Sequence, residues 1–193
     1  MIFTPDSLPA PLVPAALFGR TASVEVDLGC GKGRFLLAHA AAHPDLDFMG
    51  TDIQVGRLQK IRRRAESAGL TNIRLLHADT AYTLEYLLPR ESVSRFYLYF
   101  PDPWPKRKHH RRRIVQPAFM DLVHRTLQRH GEFHIATDHE DYFQHIHKIV
   151  SVDPRFTRIE PFEPSDDEKT DFEVLFTAKG MKTYRYSCAK TAD

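Results

Sequence analysis

Cysteine is scarce in this chain: Cys30 and Cys188 lie far apart, and no C-x-x-C pair is present. The sequence therefore indicates neither a disulfide framework nor a zinc-finger pattern. Long apolar runs are also missing, which argues against a signal peptide and a membrane-spanning segment. Eleven histidines are present, but without H-E-x-x-H or a cysteine or carboxylate partner at ligand spacing, so we expect no functional metal. These absences leave a soluble cytoplasmic protein as the expectation.

The net charge is also small: the chain has 27 Lys and Arg against 25 Asp and Glu, which gives a formal net charge of +2. A nucleic-acid-binding surface would therefore have to be local. The 193 residues, of which 42% are hydrophobic, are enough for one domain with a substantial core. Residues 1–22 are rich in proline and lack a hydrophobic period, which predicts an N-terminal arm or cap followed by a single domain over residues 23–193.

Strand-like and helix-like segments alternate along the chain. The predicted strands are Val24–Leu28, Asp47–Asp52, Asn72–His77, Ser94–Phe100, Glu132–Ala136, Phe156–Ile159 and Val174–Ala178. The predicted helices begin near Phe35, run from Gln54 to Gly69 and from Thr80 to Leu88, begin at Pro117, and follow a cap at Thr137 or Asp138. An acidic loop, Glu160–Asp171, separates the last two strands. The alternation predicts an α/β fold with a doubly wound, mostly parallel seven-stranded sheet.

The segment Tyr97–Arg113, Y-L-Y-F-P-D-P-W-P-K-R-K-H-H-R-R-R, combines three unusual features. An apolar strand ends at three prolines that interleave Asp102 and Trp104, which predicts a stiff, extended loop. Eight consecutive basic or histidine residues follow, from Lys106 to Arg113. A charge run of this kind is often only a solvated face. Next to a carboxylate and an indole on a rigid loop, it suits a site that holds a base together with its phosphate backbone.

Acidic residues stand at or just after four successive strand ends: Asp27, Asp52, Asp79 and Asp102. Ligands of doubly wound sheets bind at this edge, although a carboxylate there is also a common helix cap. The glycine loop Gly29–Gly33 reads G-x-G-x-G, which is neither a dinucleotide fingerprint nor a P-loop. Asp27 suits an ammonium group, Asp52 a ribose hydroxyl and Asp79 an exocyclic amine. Together these groups indicate S-adenosylmethionine.

Six short motifs carry a family resemblance: D-L-G-C-G-K-G-R-F from Asp27, G-T-D ending at Asp52, H-A-D ending at Asp79, F-P-D-P-W-P-K with its basic tail, A-T-D ending at Asp138, and T-D-F-E from Thr170. With these motifs the chain resembles the bacterial tRNA (guanine-N7-)-methyltransferases over roughly Val24 to Ala178. The resemblance implies a class I, Rossmann-like methyltransferase fold. It also implies S-adenosylmethionine as methyl donor, S-adenosylhomocysteine as product, no metal, and tRNA as partner, methylated at a guanine N7 in the variable loop.

The resemblance also implies roles for individual residues. Cofactor contacts are expected at Asp27, Gly29, Gly31, Asp52, Asp79 and Asp102. Substrate contacts are expected at Lys106, Asp138, Thr170, Asp171, Phe172 and Glu173. RNA contacts are expected at Arg107, Lys108, His109, His110, Arg111, Arg112 and Arg113. The chain departs from the family at Asp27 and Asp52, where Glu is usual, and at Asp171, where a basic residue is more common.

The chemistry of guanine N7 limits what the protein must supply. N7 carries an in-plane lone pair and no proton, so an in-line displacement needs no general base. Alignment of the reactants is worth roughly 7–11 kcal/mol, and a fixed carboxylate stabilises the positive charge that reaches the purine. We predict that Asp102 is this catalytic carboxylate, with a purely structural role in the proline turn as the alternative. Trp104 is expected either to stack on the base or to pack against its own loop.

Two rival functions are compatible with parts of the pattern. An NAD-linked oxidoreductase on the same fold would require G-x-G-x-x-G and a proton-transfer residue, and neither is evident. An RNA-binding protein with a relict methyltransferase fold would keep the basic run and lose the acids or glycines, all of which are present. The arginines of the Gln54–Gly69 helix form either a second RNA surface or a solvated face. A monomer or a homodimer is expected.

Overall fold

The structure, a computed structural model, describes residues 2–7 and 11–191. Residues 1 and 8–10 of the predicted arm and residues 192–193 at the end of the predicted domain lie outside the described residues. Eight strands form one sheet: β1 (Ile2–Phe3), β2 (Val24–Leu28), β3 (Asp47–Asp52), β4 (Ile73–His77), β5 (Val93–Tyr99), β6 (Leu127–Thr137), β7 (Phe156–Ile159) and β8 (Tyr184–Lys190). The first six predicted strands are therefore confirmed: the ends of β4 and β5 shift by one residue, and β6 begins five residues earlier than predicted, at Leu127.

The strands lie in the order β1-β4-β3-β2-β5-β6-β8-β7. The neighbouring strands from β1 to β6 pair in parallel, and β8 pairs antiparallel with both β6 and β7. This order confirms the predicted α/β fold with a doubly wound, mostly parallel sheet. The predicted number of seven strands is wrong by one, because Ile2–Phe3 of the predicted arm adds β1 at the edge. The chain moves outward from β2 to β4 and then returns to β5 beside β2, so the direction of winding reverses between β2 and β5. Ligands of such sheets bind at the carboxyl ends of the strands next to this reversal.

Seven α-helices are described: α1 (Pro14–Phe18), α2 (Arg34–Ala42), α3 (Val55–Ser67), α4 (Thr80–Tyr82), α5 (Pro117–Thr126), α6 (Glu140–Val150) and α7 (Asp171–Ala178). The helix predicted from Thr80 to Leu88 begins as α4 and continues as a π-helix over Thr83–Leu87. The α3 helix buries Leu58, Ile61 and Ala65, as its period predicts. Within the described residues, no helix is long and apolar enough to span a membrane.

The strand predicted at Val174–Ala178 is wrong, because these residues belong to α7. The Thr170 hydroxyl accepts a hydrogen bond from the Glu173 amide at 3.0 Å and caps this helix. Acidic residues in the first turn favour the same helix start. The seventh strand is instead β8, where side chains of Y-R-Y-S-C-A-K alternate between the two faces of the sheet. The predicted acidic loop is present between β7 and α7.

Two further local predictions differ from the structure. His139 caps α6 in place of Thr137 or Asp138, because its Nδ1 accepts a hydrogen bond from the Tyr142 amide at 3.3 Å. The predicted arm contributes to the main body: Ile2–Phe3 pairs with β4, and the Leu12 side chain is only 1% exposed within the large core cluster. Burial of these apolar residues explains why a segment without a hydrophobic period is held against the sheet.

Candidate active site

The carboxyl edge of the sheet collects the acids predicted from the sequence. Asp27 on β2 lies opposite Gly50 of β3 and Tyr97 of β5, and Asp52 at the end of β3 lies opposite His77 of β4. Asp79 and Asp102 follow the ends of β4 and β5. Because the carboxyl ends of parallel strands meet at one edge, the four acids share that edge. Asp27 and Asp102 flank the point where the winding reverses, and Asp52 and Asp79 lie one and two strands farther along.

The glycine loop leaves room for a ligand beside β2. Gly29 and Gly31 have φ of +77° and +56°, values that favour glycine. A Cβ at Gly29 would meet nothing within 4 Å, and one at Gly31 would meet only the Gly29 carbonyl oxygen at 3.9 Å. At Gly33 a Cβ would lie 2.6 Å from Ile61 Cγ1 on α3. Two glycines thus keep an open approach to the backbone, and the third permits helix packing.

Asp27 is buried without a compensating partner. Its side chain is 5% exposed and accepts no hydrogen bond from the described residues. Burial raises the pKa of Asp27 to about 7; the nearby charge of His39 opposes this shift, and that of Asp52 adds to it. A buried carboxylate of this kind gains most from a cationic ligand. This orphaned acid, together with the open glycine backbone, fits the ammonium end of S-adenosylmethionine.

Asp52 and Asp79 also hold the site together. Asp52 accepts a hydrogen bond from the Gly31 amide at 3.1 Å and one from the Gln54 amide at 2.7 Å, and so ties the glycine loop to β3. Asp79 caps α4 through Oδ1, which accepts from the Ala81 and Tyr82 amides at 2.9 and 3.2 Å. The capping alternative is therefore correct for Asp79. Contacts of both acids with the cofactor remain predictions.

The proline loop presents Asp102 as an exposed side chain. Phe100 and Trp104, each followed by proline, have φ of +52° and +44°. The expectation of an extended backbone is therefore wrong at these two residues. Tertiary contacts override the local preference: the Phe100 amide donates to the Ala136 carbonyl at 2.8 Å, and the Arg112 guanidinium lies 5.0 Å from the centre of the Trp104 ring. Bulky residues at positive φ are uncommon and cluster at functional sites.

Trp104 packs on its own segment, as one of its two predicted roles requires. Its ring centre lies 5.9 Å from that of His109, in addition to the contact with Arg112. Residues Arg107–Arg112 form a 3-10 helix instead of a continuous extended chain. Five of the basic side chains in this run are exposed, namely Lys106, Arg107, Lys108, Arg111 and Arg112, and the two histidines are half-buried.

Arg113 differs from the rest of the basic run. Its side chain is 1% exposed, and its guanidinium bonds the Pro103 carbonyl and the Asp141 carboxylate. The same group lies 4.9 Å from the centre of the Tyr142 ring. Arg113 therefore does not present its charge to solvent as the exposed members of the run do, and its contact with RNA remains a prediction.

The start of α7 brings a second buried acid to the same edge. Glu173 is 4% exposed, and its Oε1 is paired with Arg185 of β8. Glu173 Oε2 and the Tyr99 hydroxyl are buried and have no hydrogen-bond partner among the described residues. Burial raises the pKa of Tyr99; the charge of Arg185 opposes this shift, and the charges of Asp27 and Glu173 add to it. A buried polar atom without a partner is costly, so each of these two atoms is a candidate contact for a ligand.

The remaining predicted residues lie directly after β6 and at the start of α7. Asp138 follows β6 and is half-buried; it is not the helix cap, so that alternative is excluded. Thr170 caps α7, whereas Asp171 and Phe172 are exposed. Sequence reasoning missed Tyr99 and Arg185, although Tyr99 stands directly before the proline motif.

Comparison with solved structures identifies the fold. The crystal structure of the 16S rRNA methyltransferase KamB matches with a TM-score of 0.68, covering 92% of each chain at 14% identity. At this identity the match reports the fold alone. The molecule is thus a class I methyltransferase in its architecture, as the sheet order and the glycine loop indicate.

Sequence comparison identifies the family. A family model described as "Putative methyltransferase" matches residues 21–186. A tRNA (guanine-N(7)-)-methyltransferase of Nitrosococcus oceani is 39% identical over 95% of this chain and 78% of its own length. One from Chromohalobacter salexigens is 43% identical over 77% of this chain. The chain belongs to the tRNA (guanine-N(7)-)-methyltransferase family. It spans 60% of the length of the Chromohalobacter relative.

Proposed function

We propose that this chain transfers a methyl group from S-adenosylmethionine to N7 of a guanine in tRNA, in the variable loop. The proposal rests on one observation: an acidic surface and a basic surface lie next to each other at the same edge of the sheet. Buried acids and open glycines lie on one side of it, and an exposed basic segment lies on the other. The names of the relatives support the same reaction and the same RNA.

The donor half of the site is formed by the ends of β2, β3 and β4. When bound, S-adenosylmethionine supplies an activated methyl group on its sulfonium sulfur. Asp27 would pair with its ammonium group, Asp52 would accept from ribose hydroxyls, and Asp79 would accept from the adenine amine. Gly29 and Gly31 leave the backbone open at this position. The negative charge of this half also favours a cationic donor over its neutral product.

The guanine half is formed by the proline loop and α7. A guanine presents N–H donors on its Watson–Crick edge and acceptors at O6 and N7. Glu173 Oε2, which is buried and unpaired within the described residues, would accept from the N–H donors and reject a base that lacks them. Asp102 would stabilise the positive charge that the purine gains on methylation. No side chain needs to remove a proton, because N7 has none.

The exposed part of the basic run would hold the RNA. Lys106 and the outward side chains of the 3-10 helix lie directly after the loop that carries Asp102. Phosphate contacts there would fix the position of the substrate without reading its sequence. Because the same short segment carries both Asp102 and the phosphate contacts, binding of the backbone sets the distance between base and carboxylate.

The test is methylation of an unmodified tRNA transcript by the purified chain, with the product nucleotide located by reduction and strand scission at N7-methylguanosine. Asp102→Asn should lower the turnover number by about 100-fold or more, as expected for loss of a preorganised charge. Asp45→Asn, an exposed acid just before β3 at the opposite edge, should stay within twofold of wild type. Full activity of Asp102→Asn would end its catalytic assignment.

Calorimetry with S-adenosylmethionine distinguishes this proposal from the alternative, an RNA-binding protein with a relict methyltransferase fold. An active enzyme must bind the donor, and Asp27→Asn should weaken that binding. A protein that binds tRNA but shows no heat with the donor, and leaves the transcript unmethylated, would be the relict RNA-binding protein instead.

A further inference from the structure

A cluster of metal-ligating side chains lies between α2 and the acidic loop that precedes α7. His39 and His43 are one turn apart on or directly after α2, and Glu168 belongs to the acidic loop before α7. His39 Nδ1 lies 2.6 Å from Glu168 Oε1, and the two histidine rings are 4.6 Å apart between centres. One ligand atom from each of the three residues falls within 4.8 Å of the others.

We propose that His39, His43 and Glu168 bind one divalent transition-metal ion of the zinc type. Two imidazoles and one carboxylate are an established ligand set for Zn²⁺, with the fourth position left for water. Ligand atoms about 2.0–2.2 Å from a tetrahedral ion are roughly 3.3 Å apart. The three atoms therefore need shifts of only about an ångström or so to surround an ion. The ion would take the place of the proton between His39 and Glu168.

The groups behind the ligands support this assignment. His39 Nε2 lies 3.2 Å from Glu25 Oε2 and 3.1 Å from the Tyr97 hydroxyl, both of which are buried. A carboxylate on the far nitrogen is the usual partner of a metal-bound histidine, because it fixes the tautomer and the ring orientation. With Nε2 committed in this way, Nδ1 is the atom that faces the cluster.

Glu168 is oriented in the same manner. Its Oε2 accepts hydrogen bonds from the Ser165 amide at 3.0 Å and the Ser165 hydroxyl at 2.8 Å, which leaves Oε1 turned towards His39. Arg34 of α2 donates to the Lys169 and Asp166 carbonyls at 2.9 and 3.2 Å and holds the loop in place. In His39 and Glu168, two of the three proposed ligands, hydrogen bonds to other residues thus orient the atom that faces the ion.

An ion at this position would fasten the acidic loop to α2. The loop leads directly into Thr170 and α7, which carry Glu173. The ion would therefore stabilise the guanine half of the site without taking part in methyl transfer. This cluster could not be predicted from a short metal-binding motif, because Glu168 lies 129 positions after His39 in the sequence.

The test is a zinc titration of the full chain after dialysis against a chelator, in competition with a chromophoric indicator. We expect one ion per chain, and an affinity at least tenfold lower in His43→Gln and in Glu168→Gln. His147→Gln, on α6 and away from the cluster, is the matched control and should bind as wild type does. Co²⁺ should give visible absorption bands typical of low coordination in wild type and in His147→Gln only.

Thermal unfolding gives a second readout that does not involve methylation. Zn²⁺ should raise the Tm of wild type and of His147→Gln, and leave the two ligand variants unchanged. Unchanged circular dichroism and S-adenosylmethionine affinity would show that the variants are folded. Zinc binding absent from wild type, or of equal strength in His43→Gln and Glu168→Gln, would overturn the proposal, because any bound ion would then sit on other histidines.

Discussion

The Arg113 guanidinium donates from Nε to the carbonyl oxygen of Pro103 at 2.9 Å, across the loop that carries Asp102. Asp141 of α6 holds the other end of the guanidinium. One buried arginine thus fixes the backbone next to the proposed catalytic carboxylate. The next residue after Pro103, Trp104, has a φ of +44°.

Arg113→Lys should lower the turnover number about 10–100-fold, because a displacement of about 1 Å at a reacting centre has effects of this size. Lysine keeps the charge and loses the planar pair of donors. The affinity for S-adenosylmethionine should be unchanged, since Arg113 is not part of the donor half. Arg111→Lys, at an exposed position of the same run, is the control. Equal turnover in both variants would contradict a positioning role for Arg113.

Affinity for S-adenosylmethionine should fall as the pH drops below about 7. The raised pKa of Asp27, about 7 against an ordinary 3.8, leaves the free site neutral under those conditions, and the ammonium partner needs the charged form. Between pH 8 and pH 6 we expect about tenfold weaker binding. In Asp27→Asn this part of the pH dependence should vanish, because the ionisation of the cofactor itself is common to both proteins.

The raised pKa of Asp27 also makes the stability of the free protein depend on pH, and this dependence runs in the opposite direction: stability falls as the pH rises. A carboxyl whose folded-state pKa is raised disfavours the folded state once the unfolded chain ionises. Stability from this group is therefore complete below about pH 4 and is lost between pH 4 and pH 7. The other titratable groups whose charges interact with Asp27 are His39, Asp52, Tyr99 and the Cys30 thiol. Urea unfolding of wild type and Asp27→Asn between pH 4 and pH 7 measures the free energy of unfolding of each protein. The same pH dependence in both proteins would contradict the raised pKa of Asp27.

Salt dependence should distinguish the two basic surfaces. The double variant Arg111→Ala/Arg112→Ala should lower the slope of log affinity for tRNA against log salt by about 1.5, if each arginine meets one phosphate. Arg62→Ala/Arg63→Ala, on the outer side of α3, should leave the slope unchanged if those residues form only a solvated face. Cofactor affinity should be unaffected in both. The opposite pattern would move the RNA surface to α3.

Gly33→Ala should destabilise the protein by about 2–4 kcal/mol. The new Cβ would lie 2.6 Å from Ile61 at a φ of +73°, which combines overpacking with backbone strain. Gly29→Ala shares the strain without the contact and should cost about 1–2 kcal/mol. Gly56→Ala, in open space on α3, should stabilise by about 0.5–1 kcal/mol. Chemical denaturation of the three variants measures this order, and equal effects would contradict it.

Much of the fold follows from local patterns. The strands β2 and β3 have the bounds that their apolar runs predict, since both are buried on two faces and flanked by loops. The segment Val174–Ala178 shows where this reasoning ends, because a short apolar run has no period that separates strand from helix. The deciding signal there was the cap at Thr170, three residues before Glu173.

The candidate site also has a part that the sequence predicts and a part that only the tertiary structure shows. The position of the acids follows from strand parallelism alone, so Asp27 and Asp52 could be placed at one edge from the sequence. The inward turn of Arg113 could not, because it depends on Asp141 and Tyr142 from a helix that only the tertiary fold brings near. The same holds for Arg185 and Glu173, whose pairing requires a strand that the sequence did not reveal.

The late position of β8 along the chain has a consequence for how activity arises. This strand inserts between β6 and β7, and its Arg185 supports Glu173. A ribosome-bound chain could assemble the donor half well before that insertion, yet it would lack the support for the guanine half. The support that Arg185 gives to Glu173 would therefore form only when β8 docks between β6 and β7.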